Sequence, residues 1–188
     1  MQNRGWIMEN TLRGLYIGRF QPFHNGHLQA IKYVLENVDE LIIAIGSIQD
    51  SHEIKNPFTA GERHYMIQRA LLEAGIPHNR FYIISIPDID RNAVWLSHVR
   101  TLCPPFDVVY SNNPLVARLT KEYGGSARLA TIPFFNRNSY TATEVRRRIL
   151  EGENWEELVP QAVTKIIREI NGIKRIRDID ASEGDLFY

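Results

Sequence analysis

The sequence predicts an α/β fold built on a parallel, doubly wound sheet. Three observations carry this. Apolar runs alternate with helical patterns over residues 13–132. One run, Leu41-Ile42-Ile43-Ala44-Ile45, is apolar at every position, as a strand covered on both faces requires. Repeated β-α units of this kind join parallel strands by right-handed crossovers.

Each element has its own signal. The first strand, 13–18, holds Leu15-Tyr16-Ile17 and ends at Gly18; the amphipathic stretch Leu28 to Leu35 then marks a helix over about 26–37. The second strand is 40–46, and Thr59-Ala60-Gly61-Glu62 has the spacing of a capping box opening a helix over 60–74, which Gly75 and Pro77 stop. Further strands are expected at 80–86, 107–111 and 128–132, with helices at 93–102 and 114–123 between them. The result is a five-stranded, Rossmann-like sheet with helices on both faces.

After residue 140 the character changes to a C-terminal helical extension. Thr141-Ala142-Thr143-Glu144 is a second capping-box spacing, opening a helix over 143–151 that Gly152 breaks. Residues 155–158 form a short turn, and Pro160 suits the first position of a helix to 170, ended by Gly172. One domain over 13–176 is expected, with its C-terminal helices from about 143. A flexible extension at 1–12, in which Met8 is an alternative start, and a flexible, acidic, frayed tail over 177–188 flank it.

Composition narrows the function. Lys plus Arg and Asp plus Glu both number 22, so the formal charge is zero and nothing favours a dedicated nucleic-acid binder. Cys103 is the only cysteine, which excludes an internal disulfide and a multi-cysteine zinc site and fits a reducing, cytoplasmic setting. No apolar run approaches the roughly 20 residues of a membrane span, and 1–12 has no apolar core of a signal peptide.

The densest chemistry lies in Gly18-Arg19-Phe20-Gln21-Pro22-Phe23-His24-Asn25-Gly26-His27. A strand, a turn and then a helix start offer free N–H groups and the positive end of the helix dipole, where an anion is stabilised. His24 and His27 are spaced to share one side of the first turn. Gly26 leaves room between them, and Arg19 adds a fork suited to phosphate oxygens. Either histidine alone reads as a cap or a surface residue. The combination, on the loop after the first strand, points to a ligand site.

A second cluster is Asn138-Ser139-Tyr140-Thr141-Ala142-Thr143-Glu144-Val145-Arg146-Arg147-Arg148. The Thr141 hydroxyl suits either a helix cap or a phosphate oxygen. Successive arginines point about 100° apart around a helix. Arg146, on the side of Thr143, is placed toward the crevice, and Arg147 and Arg148 on a solvated face. The loop 47–58 offers Ser51, His52 and Lys55. The loop 87–92 offers Asp88, Asp90 and Asn92 and leads to Trp95. Trp95 suits stacking on a flat heterocycle or a place in the core; Asn92 suits an amide; the two aspartates suit a magnesium ion or the end of a strand. No G-x-G-x-x-G follows the first strand, and no P-loop or G-x-S-x-G elbow occurs. The other histidines show no metal-ligand spacing with His24 and His27, so no protein metal site is expected.

His24-Asn25-Gly26-His27 matches the HxGH motif of the nucleotidyltransferase superfamily, and Thr141 to Arg146 resembles its second motif, SSTxxR. The longer strings Gly18 to His24, Asn56-Pro57-Phe58-Thr59-Ala60-Gly61-Glu62-Arg63 and Thr143 to Arg148 resemble archaeal-type nicotinamide-nucleotide adenylyltransferases, over Arg13 to about Ile176. The resemblance implies that ATP and nicotinamide mononucleotide give NAD and pyrophosphate, by in-line attack of the mononucleotide phosphate on the ATP α-phosphate. It implies that His24, His27, Arg19 and Arg146 are catalytic, and that Gly18, Phe20, Gly26, Thr141 and Thr143 join them around ATP. It places Ser47, Lys55, Asn92 and Trp95 at the mononucleotide. Threonine stands at 141 where relatives often have serine, which keeps the hydroxyl. Lys55 stands where an arginine is expected, and losing the fork weakens mononucleotide binding. Relatives of this type are hexamers, which implies a homo-oligomer. Magnesium is expected to ride on the ATP phosphates with most of its waters. Nucleic acid and membrane partners are not expected. The alternatives are another HxGH enzyme with a phosphopantetheine, riboflavin phosphate or phosphorylated-alcohol acceptor, a regulatory nucleotide-binding module, and an RNA binder using 146–148.

Overall fold

The computed structural model describes residues 11–135 and 140–185, with side chains to 182. Residues 1–10, 136–139 and 186–188, which include most of the expected N-terminal extension as well as Asn138 and Ser139, lie outside the described residues. Five parallel strands form one sheet: β1 (Arg13–Gly18), β2 (Glu40–Ile45), β3 (Phe81–Ser85), β4 (Val108–Tyr110) and β5 (Arg128–Ala130). Their order is β3-β2-β1-β4-β5. The chain winds outward from β1 to β3 and then crosses back to β4, so direction reverses between β1 and β4. Ligands of open α/β sheets bind at the carboxyl ends of the strands at such a reversal.

The uniformly apolar β2 follows from its two covered faces. Leu41, Ile43 and Ile45 point into a core with α1 (Asn25–Leu35) and α2 (Ala60–Glu73). Ile42 and Ala44 point the other way, into a second core with α3 (Trp95–Leu102) and α4 (Pro114–Tyr123). The first core also takes the helical extension, α5 (Ala142–Glu151), α6 (Gln161–Glu169) and α7 (Gly172–Asp185), through Val145, Val163 and Ile176. Each fully buried aliphatic side chain here contributes about 1.5–3 kcal/mol.

Several boundaries differ from expectation. β4 and β5 are three residues each, shorter than 107–111 and 128–132. The flanking bonds Asp107 N–H to the Arg13 carbonyl, 2.9 Å, and Ser111 N–H to the Ala130 carbonyl, 3.1 Å, continue the pairing beyond the regular strands. The helix expected at 93–102 begins with a 3-10 turn, Asn92–Val94. Thr59 and Glu62 form the capping box their spacing predicts. At Thr141 only half of the predicted box forms. Its hydroxyl accepts the Glu144 N–H at 3.1 Å, but the Glu144 carboxylate turns to Arg147 and Arg148. Pro160 is the N-cap of α6 and not its first residue.

Residues 178–185 of the expected tail are helical as part of α7. α6 ends at Glu169 with Ile170 as its C-cap, and Gly172 opens α7. The helix is held by buried Ile176, by the paired bonds of Arg175 to Glu62 at 2.6 and 2.8 Å, and by Arg177 donating to the Ile149 carbonyl. No helix among the described residues is long and apolar enough to cross a membrane.

Candidate active site

Past Gly18 the chain turns sharply, with Phe20 in the left-handed region at φ 54° and its ring buried. The Gln21 side chain fastens this turn to the entry of α2. Its amide donates to the Phe58 carbonyl at 2.8 Å and accepts the Phe58 N–H at 2.9 Å. His24 is then the N-cap of α1.

The two imidazoles cap the helix themselves. The His27 N–H donates to His24 Nδ1 and the His24 N–H donates to His27 Nδ1, both at 3.3 Å. With both Nδ1 atoms accepting, each ring carries its proton on Nε2. The rings stack at 3.5 Å between centroids, and the Phe20 ring meets His27 edge-on at 4.8 Å. Burial pushes His24 down to about 3, and burial together with His24 holds His27 well below the usual histidine range. Both rings are therefore neutral donors at pH 7. Gly26 is required by closeness of a different kind from that expected: a Cβ there would sit 3.0 Å from Tyr140 Cβ and 3.1 Å from the His24 ring.

Cations gather beside this pair. Arg146 donates to the Gln21 carbonyl at 2.6 Å and to the Thr143 hydroxyl at 3.4 Å, and burial and the nearby Arg19 lower its pKa. Arg19 is exposed. Arg63 was assigned no role from sequence. It is 0% exposed and donates to the carbonyls of Arg19, Gly46, Ser47 and Thr59 at 2.8–3.3 Å. A signal existed: Arg63 shares the α2 stripe of Met66, Ile67 and Ala70, where an apolar side chain is the norm.

Two cavities open at the β1–β4 reversal, sharing Ile17, Ser111 and Asn113 as a common wall. One, of about 280 Å³, is lined by His24, Gly26, His27 and Tyr140 among others. The other, of about 360 Å³, is lined by Gly18, Arg19, Ser47, Asp88, Asn92 and Trp95. Three of the four residues expected at the mononucleotide thus share one cavity. The fourth, Lys55, is exposed and lines neither. Phe20 supports His27 from behind and does not line either cavity. The Thr141 hydroxyl is engaged as a cap, and Thr143 meets Arg146. Arg147 and Arg148 pair with Glu144, Glu153 and Glu157, holding Glu144 down to about 2. Ser111 and Asn113 were missed because their place in the wall depends on β4 lying beside β1.

A model of the cytidylyltransferase-like family matches residues 15–148. The nicotinamide-nucleotide adenylyltransferase of Archaeoglobus fulgidus is 53% identical over 176 residues, spanning 92% of this chain and 99% of that one. That of Methanolobus tindarius is 52% identical over 173 residues, spanning 92% and 97%. The chain belongs to the cytidylyltransferase-like family, among its nicotinamide-nucleotide adenylyltransferases.

Solved structures agree on the fold of this family. The bifunctional NMN adenylyltransferase/ADP ribose pyrophosphatase of Francisella tularensis, crystallised with AMP and a manganese ion, superposes with a TM-score of 0.76 at 23% identity. The match covers 94% of this chain and 54% of that protein, so this chain spans about half of its length. In this chain the HxGH segment stands on the loop after β1, as the sequence pattern predicts.

Proposed function

We propose that the chain transfers the adenylyl group of ATP to nicotinamide mononucleotide, giving NAD and pyrophosphate. The observation that carries this reading is the pair of cavities meeting at one wall, the imidazole pair at the start of α1 lining one and Arg19 lining the other. An oxygen of the mononucleotide phosphate bonds to the ATP α-phosphorus. The bond from that phosphorus to the oxygen bridging to the β-phosphate breaks, and pyrophosphate leaves. The attacking phosphate is already an anion, so positioning and charge neutralisation supply most of the catalysis.

In this reading ATP occupies the cavity of His24, Gly26 and His27, its phosphates against the first turn of α1, with Arg19 and Arg146 on the triphosphate. The mononucleotide occupies the cavity of Ser47, Asn92 and Trp95, its ring against Trp95 and its amide to Asn92. Among the described residues no cluster of histidine, cysteine or carboxylate could hold a metal, and the groups around the imidazole pair are donors. That set fits a magnesium ion held by phosphate oxygens and its own waters. When bound, the ion neutralises charge on the phosphates. A cytoplasmic homo-hexamer belongs to the same reading, supported by family membership and the single cysteine. Light scattering after gel filtration tests the assembly.

The deciding experiment measures pyrophosphate release from ATP with magnesium, and with a chelator control. The acceptors are nicotinamide mononucleotide, phosphopantetheine, riboflavin phosphate and a phosphorylated alcohol. Release with nicotinamide mononucleotide is expected. Release with another acceptor and none with this one would replace the reading, and ATP binding without release would favour a regulatory module.

A further inference from the structure

We infer that Asp88 makes the mononucleotide cavity selective for a ring bearing a neutral carboxamide over one bearing a carboxylate. The inference rests on the reading that this cavity takes the mononucleotide. Asp88 follows β3 and shares the cavity wall with Asn92 and Trp95. Its Oδ1 accepts the Ser47 N–H at 3.2 Å and its Oδ2 accepts the Gln49 amide at 3.1 Å. Its own N–H donates to Gln49 Oε1 at 3.2 Å. These partners are neutral. Among the described residues no ion pair reaches Asp88. The carboxylate is fixed in place by neutral donors and without a direct ion pair, while the buried Arg63 guanidinium acts on it through space.

The cations nearby are committed elsewhere. Among the described residues Arg19 is the one cation lining this cavity, and its charge also acts on Arg146. Arg63 directs its donors at four backbone carbonyls. At the wall beside Asn92 and Trp95 the charge lining the cavity is the Asp88 carboxylate's, offset in part through space by the buried Arg63 guanidinium.

Nicotinamide and nicotinate mononucleotides share a phosphate and a pyridinium cation, and Asp88 attracts the pyridinium of both. Nicotinate mononucleotide alone adds a ring carboxylate, which Asp88 repels. Asp88 is exposed before binding, so solvent screening limits discrimination by this charge to about five- to tenfold.

The test is calorimetric binding of both mononucleotides to the full chain, with kcat/KM for each alongside. Asp88→Asn keeps an acceptor for the Ser47 N–H and removes the charge. Gln49→Ala keeps the charge and loosens the loop. The unsubstituted chain is expected to prefer nicotinamide mononucleotide. Asp88→Asn should cut that preference about five- to tenfold, mainly by tightening nicotinate mononucleotide, and Gln49→Ala should leave it within about twofold. An unchanged preference in Asp88→Asn overturns the inference, as does an equal shift in Gln49→Ala. Absence of any mononucleotide binding to the unsubstituted chain would sink the cavity assignment itself, and the inference with it.

Discussion

His24 and His27 each accept the other's backbone N–H on Nδ1, at 3.3 Å in both directions. One pair of bonds caps α1, fixes both tautomers and aims both Nε2–H groups away from the cap. The cap and the proposed catalytic donors are thus the same two rings.

Catalysis and capping should separate by substitution. His24→Asn retains a good N-cap, whereas His27→Ala removes the reciprocal half. Turnover should fall about 100-fold in both, as for loss of one preorganised donor. Thermal stability should change little in His24→Asn and drop by about 1 kcal/mol in His27→Ala. Full activity in His27→Ala would remove that ring from the chemistry.

The buried imidazoles also set a pH dependence of stability. His24 falls from 6.5 unfolded to about 3 folded. Between those values the unfolded chain binds the extra proton, so stability rises with pH. This contribution is complete above about 6.5 and is lost as pH falls toward 3. Urea denaturation across pH 4–7 should show a slope that His24→Asn reduces. A slope unaffected by the substitution would show the ring to be ionisable in the folded chain.

Arg146 bridges the Gln21 carbonyl and the Thr143 hydroxyl. Arg146→Ala should weaken ATP binding by about ten- to 100-fold, the scale of a charged hydrogen-bonded contact. Arg146→Lys should recover only part, since an ammonium lacks the planar fork. Calorimetry with ATP measures both, and unchanged affinity in the alanine variant would count against a phosphate contact.

Arg63→Met buries a side chain of similar length and strands the carbonyls of Arg19, Gly46 and Ser47 without their donor. Stability should fall by about 2–4 kcal/mol, read from the denaturation midpoint. KM for both substrates should rise, because Ser47 lines the mononucleotide cavity and Arg19 serves the triphosphate.

What sequence reveals here follows the range of the interactions. The strand at 13–18, the strand expected at 40–46, which ends at Ile45, and the Thr59 box are local patterns, and they form where the pattern lies. The place of Ser111 and Asn113 depends on strand order, a long-range property that no local pattern contains. Arg63 stands out only as a cation on an apolar stripe, and its partners, backbone carbonyls of three separate segments, leave no trace in side-chain types. Helical 178–185 was missed for a related reason: the acidic composition of the tail says nothing of Arg175 reaching Glu62, 113 residues away.

That last contact ties α7 to the start of α2. Glu62 receives Arg175 while capping α2, and the residue that opens this cap, Thr59, follows Phe58, which Gln21 grips from the histidine loop. The terminal helix is a brace in a short mechanical linkage whose far end is the imidazole pair. Trimming the chain before Arg175 would slacken the loop that holds those rings, although no described side chain of that helix lines either cavity.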